Sequence, residues 1–379
     1  MGITLSNFTS PKFTMNFGNL DISTHTTRAC ARAPVRVDPA GGGTDAPPFC
    51  TDHGGLVLNF TVSRYMHASV QRLAAGQGIW VYSADLDTGV HAPDVDALDQ
   101  DGPLGFLCSY VRRLVPNNES ILLITESDIP AGSGLGGSGA LGVAVVAAFD
   151  AAFGVARTKL EVAGISNQVE RGDLGYVGGC QDACVAAVGG INLIHIKTDG
   201  KVEAEPVQIT EQTRLNLERR LVLIYTGASH VSSSIHQDIL DAYKLTNSPV
   251  LKAMFDLKRG AQDTADALRA GDVDGFGHLL GDCNRYLYAL HDSCDSEVLR
   301  KLHSAIGDTI IGAKTCGAGG GGYVLALTRQ GERAQCIRRA RELGGTAEPV
   351  RIDTHGVRSW PSLAMADDEL DHLFEGIQV

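Results

Sequence analysis

The spacing of apolar and polar residues divides the chain into strand-like and helix-like stretches. After a polar leader, RACARAPVRVDPAGGG begins as a short apolar strand and breaks into a loop at Pro39. GGLVLNFTVSRYMHASVQRL and GIWVYSAD then alternate or run apolar as strands do. ILLITESDIP, from Ile121 to Pro130, predicts another strand that leads straight into the glycine-rich PAGSGLGGSG. ALGVAVVAAFDAAFG, rich in alanine and valine and poor in charge, predicts a buried helix. TKLEVAGISNQVERGDL predicts a second helix, which leads to YVGGCQDACVAAVGGINLIHIK. From about Glu205 the pattern restarts with the strand RRLVLIYTG, is mainly helical from Ser232 to Ile306, and closes with AKTCGAGGGGYVLALT and the strand-like PVRID. The expected organisation is a flexible leader over residues 1–27, a first domain over 28–205 and a second over 206–379.

Composition narrows the function classes. With 379 residues, 44% hydrophobic and 20% charged, the chain has a globular balance and room for two sizeable cores. The 32 Lys and Arg against 44 Asp and Glu leave a net charge of −12, which argues against a broad basic footprint for duplex nucleic acid. The nine cysteines lack the paired spacing of a zinc ribbon, and one helix would explain the close pair Cys180 and Cys184. Reduced thiols in a cytoplasmic protein are expected. No apolar run is long enough to cross a bilayer, and the opening residues lack the cationic start and apolar core of a signal peptide. Gly2 and Ser6 fit a loose myristoylation pattern, but a mobile polar tail is the simpler reading.

The loop PAGSGLGGSG carries the candidate chemistry. Gly132, Gly134 and Gly137 spell a dinucleotide-binding G-x-G-x-x-G between a strand and a helix. That fold also needs an acidic residue about twenty positions on, at the end of a second strand, to hold a ribose. Here the region is still helical, with Asp150 inside the pattern and Glu161 in the next helix. Gly132 and Gly137 have the separation of a P-loop, but Ser138 stands where its lysine is required. Protein-kinase signatures are absent. What survives is physical: closely spaced glycines let backbone N–H groups converge on an anion, and the following helix adds its positive end.

Three segments taken together resemble the GHMP kinases, the superfamily of galactokinase, homoserine kinase, mevalonate kinase and phosphomevalonate kinase. They are RAPVRVDPAGGGTDAPPF from Arg32, PAGSGLGGSGA from Pro130 and KTCGAGGGGYVL from Lys314. AGGGTDAPPF, GGCQDACVAAVGGINLI and YTGASHVSSSI resemble the branch with D-glycero-D-manno-heptose 7-phosphate kinase and the kinase portion of L-fucokinase. The resemblance implies an α+β two-domain fold, a ribosomal-protein-S5-like first domain and a ferredoxin-like second, with ATP and sugar in the cleft between them. The implied function is ATP-dependent and Mg²⁺-dependent phosphorylation of a sugar or sugar phosphate. The leading substrate is the anomeric hydroxyl of D-glycero-D-manno-heptose 7-phosphate, giving a sugar 1-phosphate for activated-sugar synthesis. Another monosaccharide, as in L-fucokinase, and a non-catalytic sugar sensor on the same fold are the alternatives. The partner is then a small molecule, with no nucleic acid or membrane, and a homodimer is left open.

Residue by residue, the resemblance implies that Pro130, Gly132, Ser133, Gly134, Leu135, Gly136, Gly137 and Ser138 hold the nucleotide phosphates. Ser138 and Glu170 would approach Mg²⁺, Asp182 would be the catalytic base and Arg36 its cationic companion. Gly42, Gly43, Thr44 and Asp45, with Gly319 and Gly320, would contact the sugar, and the glycines from Gly317 to Gly322 would floor the phosphates. A substrate with a distal phosphate also needs a cation, for which Arg64, Arg285, Arg300 and Lys314 are candidates. Taken alone, Asp182 reads as a helix cap after Gly178 and Gly179, Arg36 as a strand-surface charge, Ser138 as a helix cap, and Glu170 with Arg171 as a solvated pair. His230 and His236 lack metal-ligand spacing and read as surface or cleft residues.

Overall fold

The computed structural model describes residues 28–116, 119–176, 178–227, 232–243 and 249–362. The leader with Gly2 and Ser6 lies outside them, as do His230 and the side chain of His236. The strands are β1 (Arg28–Ala40), β2 (Gly55–Arg72), β3 (Ile79–Ser83), β4 (Thr88–Ala92), β5 (Ile121–Ser127), β6 (Ile191–Ile196), β7 (Val202–Pro206), β8 (Leu221–Tyr225), β9 (Ile310–Thr315), β10 (Tyr323–Thr328), β11 (Thr346–Pro349) and β12 (Arg358–Ser362). The α-helices are α1 (Phe49–His53), α2 (Gly105–Leu114), α3 (Gly137–Phe153), α4 (Lys159–Asn167), α5 (Gln181–Val188), α6 (Glu211–Arg220), α7 (Ser232–Tyr243), α8 (Pro249–Arg269), α9 (Val273–Tyr288), α10 (Glu297–Ile306) and α11 (Arg333–Glu342).

Two sheets organise the molecule. The first runs β12-β1-β2-β5-β3-β4, with β6 on β2 and β7 on β6; its β3–β5 pairing is parallel and the others are antiparallel. The second is antiparallel in the order β11-β8-β10-β9. Its β8-helices-β9-β10-α11-β11 sequence is a ferredoxin-like arrangement with a helical insertion between the first two strands. β12 leaves this unit and pairs with β1.

The predicted buried helix is α3, whose apolar side chains are enclosed almost all round by β1, β2, α4 and α5. Its alanines allow that close approach, and twelve of its seventeen residues are buried. Local pattern misled at two places, RRLVLIYTG and PVRID, and of the latter only Pro349 belongs to a strand. RRLVLIYTG is not strand throughout, because Arg219 and Arg220 end α6, whose Thr210 cap accepts from the Thr213 N–H. AKTCGAGGGGYVLALT splits into β9 and β10, joined by the glycine turn.

The architecture brings three glycine segments to one place. β1 carries Arg36 where its register with β2 shifts, between Pro34 and Arg36. Such an irregularity frees a backbone group from the ladder and re-aims a side chain. Here the Arg36 N–H donates to the Leu135 carbonyl at 3.0 Å, tying β1 to the glycine loop.

Candidate active site

A cleft of about 830 Å³ opens where the first sheet, α3 and the glycine turn of the second sheet meet. One half is made by Pro130 to Ser138, apart from Leu135, together with Cys316, Gly317, Ala318, Gly319 and Gly321. The loop is held from both sides. The Tyr323 N–H donates to the Ser133 carbonyl at 2.9 Å, and Arg36 Nη1 donates to the Gly134 carbonyl at 2.6 Å. Gly134 has φ +87°, and a Cβ there would lie 2.7 Å from the Cys316 carbonyl oxygen. Gly136, also left-handed, caps α3, and a Cβ on it would meet Asp182 Cγ at 2.9 Å. Ser138 follows in the first turn, at the positive end of the helix.

Arg36 and Asp182 come together beneath this loop, with Arg36 Nε donating to Asp182 Oδ1 at 2.8 Å. The simple readings of both residues fail. Arg36 is 5% exposed rather than a surface charge, and Cys180, not Asp182, stands at the helix-cap position of α5. Burial works against the Arg36 charge, but the carboxylates of Asp182 and Asp38 outweigh it and hold its pKa above the ordinary guanidinium value. The charges continue inward: Asp38 accepts from Lys314 Nζ at 3.1 Å through Oδ2 and from the Gly317 N–H at 2.9 Å through Oδ1. Asp38 sits two residues from Arg36 on β1, the spacing that puts side chains on one face of a strand.

On the opposite wall a π-helical turn over Gln168–Asp173 presents Glu170. Its enclosure and the nearby Asp182 charge raise its pKa to about 7, against hydrogen bonding from Ser138, Ser166 and Tyr110. No group of three His, Cys, Asp or Glu able to hold a metal occurs among the described residues. A hydroxyl and one charge-rich carboxylate facing the same space do fit a hard cation that takes most of its ligands from phosphate and water.

The other half is made differently. Gly42, Gly43, Asp45, Gly178, Gly179 and Gln181 line it, and an apolar wall from Phe49, Ile239, Leu240, Tyr243, Met254, Leu287 and Leu290 closes it. Asp45 is 1% exposed and accepts from the Gln181 backbone at 3.2 Å and from its side chain at 3.3 Å. Burial first, then the Asp182 charge, push its pKa up to about 6. Asn59 on β2 donates to Gln181 at 3.2 Å and so braces the arrangement from behind.

Several expected contacts lie elsewhere. Thr44 is fully buried, and its hydroxyl donates to the Gly41 and Leu56 carbonyls, so it shapes the turn and does not line the cleft. Leu135 belongs to the core, and Gly320 turns its N–H to the Cys294 carbonyl at 2.7 Å. The four distal-phosphate candidates are also absent from the lining. Arg64 pairs with Glu348, Arg285 with Asp282 at 2.6 Å, Arg300 with Asp295 at 2.6 Å, and Lys314 with Asp38. Sequence reasoning missed Asp38 and Gln181; the strand spacing from Arg36 could have indicated the first, and nothing local marks the second.

Known proteins resemble this chain in sequence and fold. The GHMP kinases N terminal domain matches residues 106–190, and the GHMP kinases C terminal domain matches residues 264–345. The D-glycero-alpha-D-manno-heptose 7-phosphate kinase of Campylobacter jejuni is 30% identical over 334 residues, covering 87% of this chain and 98% of that one. The chain belongs to the GHMP kinases. A crystal structure of a D-glycero-D-manno-heptose 1-phosphate kinase from Bacteroides thetaiotaomicron superposes with a TM-score of 0.73 at 26% identity, covering 88% and 99% of the two chains. The bifunctional fucokinase/GDP-fucose pyrophosphorylase of Arabidopsis thaliana is 25% identical over 329 residues, 83% of this chain and 31% of that longer one. As a GHMP kinase the protein is an ATP-dependent phosphotransferase with the two-domain fold of that family. No helix among the described residues is long and apolar enough to cross a membrane.

Proposed function

We propose that this GHMP kinase transfers the γ-phosphoryl group of ATP to the anomeric hydroxyl of a sugar phosphate, D-glycero-D-manno-heptose 7-phosphate. The observation that carries the reading is the Arg36–Asp182 pair, set at 2.8 Å beneath a glycine loop and beside the acceptor half of one cleft. Two relatives covering most of the chain are both named for a phosphorylated heptose.

The residues divide the work. Backbone N–H groups of Gly132 to Gly137 and the start of α3 would hold the nucleotide phosphates, while Asp45, kept in place by Gln181, would hold sugar hydroxyls. Asp182 accepts the proton of the attacking hydroxyl as the new O–P bond forms and the bond to the β-phosphate oxygen breaks, releasing ADP. Arg36 orients Asp182 and offsets negative charge next to the transferring group. Ser138 and Glu170 would hold Mg²⁺, which when bound neutralises phosphate charge. The units either side of about residue 205 would form the two walls of the cleft. The protein is read as cytoplasmic, in keeping with nine cysteines that are all free thiols, eight of them buried.

A second reading is drawn from the apolar wall of the acceptor half, which would suit the methyl group of a 6-deoxy sugar such as L-fucose. ATP turnover with a panel of hexoses, heptoses, L-fucose and their phosphates separates the two. The expected result is the highest kcat/KM with heptose 7-phosphate and a product phosphorylated at the anomeric carbon. A preference for L-fucose would replace this reading, and tight sugar binding without any ADP release would reject a kinase in favour of a sensor.

A further inference from the structure

The described lining of the cleft contains two cations, Arg36 and Arg171. Arg36 is committed, with one donor on Asp182 and another on the Gly134 carbonyl. Arg171 is exposed to the cleft and has no hydrogen bond or ion pair among the described residues. An arginine in a solvated pair with the preceding glutamate would have explained this stretch, but Glu170 turns instead to Ser138 and Ser166.

The backbone shows how neighbours in sequence come to face different parts of one cleft. The π-helical turn over Gln168–Asp173 is wider than an α-helical one, and the bonds from Leu174 N–H to the Val169 carbonyl and from Tyr176 N–H to the Glu170 carbonyl, both 2.9 Å, close it. Such turns recur where a helix must present side chains that a regular spiral would carry away. Glu170 serves the Ser138 side. Arg171 begins a run of lining residues that continues through Gly175 and Tyr176 to Gly178 and Gly179, and a Cβ on Gly179 would strike the Asp45 carboxylate. The stretch of wall that carries Arg171 therefore borders the Asp45 side of the cleft.

We propose that Arg171 binds the phosphate that the acceptor sugar already carries. This rests on the sugar-phosphate reading above. A phosphate monoester taken into a cleft with an apolar wall needs a cation, and a guanidinium can meet two of its oxygens at once. The four other cations considered for the task are each paired and lie outside the lining, so of the two cations in the described lining Arg171 is the uncommitted one.

The test uses the full chain, ATP, and two acceptors that differ by one group: D-glycero-D-manno-heptose 7-phosphate and the free heptose. In Arg171→Ala the ratio of kcat/KM for the phosphorylated over the free sugar should fall about 10- to 100-fold, mainly through KM. Arg171→Lys, a point charge without the fork, should recover part of that ratio, which a purely structural role would not require. An unchanged ratio in Arg171→Ala, in a wild type that does prefer the phosphorylated sugar, overturns the inference and leaves the sugar-phosphate reading standing. A wild type that prefers the free sugar overturns both.

Discussion

At the glycine-loop end of the cleft the polar groups belong mainly to the backbone; at the end around Asp45, which we propose receives the acceptor, they belong to side chains. The loop from Pro130 to Ser138 is held through its carbonyls by Arg36 on β1 and Tyr323 on β10, and at Gly134 and Gly136 a Cβ would strike a neighbour. The other end presents the side chains of Asp45, Gln181, Asp182 and Arg171, which come from three separate stretches, with Asp45 held by Gln181. A backbone site is pre-organised by the fold and admits any nucleotide phosphate. A side-chain site is selective but depends on the charge state and reach of individual groups. The Arg36–Asp182 pair sits at the joint between the two.

That contrast can be broken in order of effect. Asp182→Asn should lower kcat about 10²- to 10⁴-fold while ATP affinity, measured by calorimetry, is unchanged. Near-normal kcat would remove Asp182 from the chemistry. Gly134→Ala attacks the other end. The left-handed backbone and the 2.7 Å approach to the Cys316 carbonyl should weaken ATP binding roughly tenfold, the equivalent of about 1.4 kcal/mol, and leave acceptor selectivity intact. A change in selectivity without loss of ATP affinity would show that the two ends are not separable.

The smallest effect is a pH dependence at Asp45. Its pKa rises from the ordinary 3.8 to about 6 on folding, with burial the main cause and Asp182 the next. The folded state therefore binds the proton more tightly than the unfolded one. The stability this contributes is complete below pH 3.8 and is lost as pH rises to about 6, at no more than about 1.4 kcal/mol per pH unit. Thermal melting of ligand-free Asp45→Asn between those values should show a flatter decline than the wild type. An identical decline would mean that Asp45 is not the buried acid described here.

Legibility followed the same division. The glycine segments could be read directly, since a loop that must bring amides to an anion declares itself in composition, and the alanine-rich α3 announced its burial. Arg36 and Asp182 were reached through the resemblance of whole segments, because an isolated Arg in a strand and an Asp near glycines each have an ordinary local explanation. Thr44 was misjudged, since its neighbours Gly43 and Asp45 do line the cleft while its own hydroxyl closes a turn. Arg64, Arg285, Arg300 and Lys314 failed for a related reason: a cation's usefulness depends on whether a carboxylate has already claimed it, and each of theirs comes from a position that the fold supplies.

What the sequence by itself determined is therefore the local chemistry: where strands and helices alternate, where backbone must turn through glycine, and which family such segments resemble. The tertiary structure alone decided which charges are neutralised and which remain free. Asp38 spans 276 residues to reach Lys314, and Arg36 spans 146 to reach Asp182. Arg171 is left uncommitted in the cleft lining, on a π-helical turn whose Glu170 faces Ser138 and Ser166 instead. Periodicity and composition report interactions within a few residues along the chain, whereas electrostatic pairing acts through space and is fixed only once the two sheets are brought together.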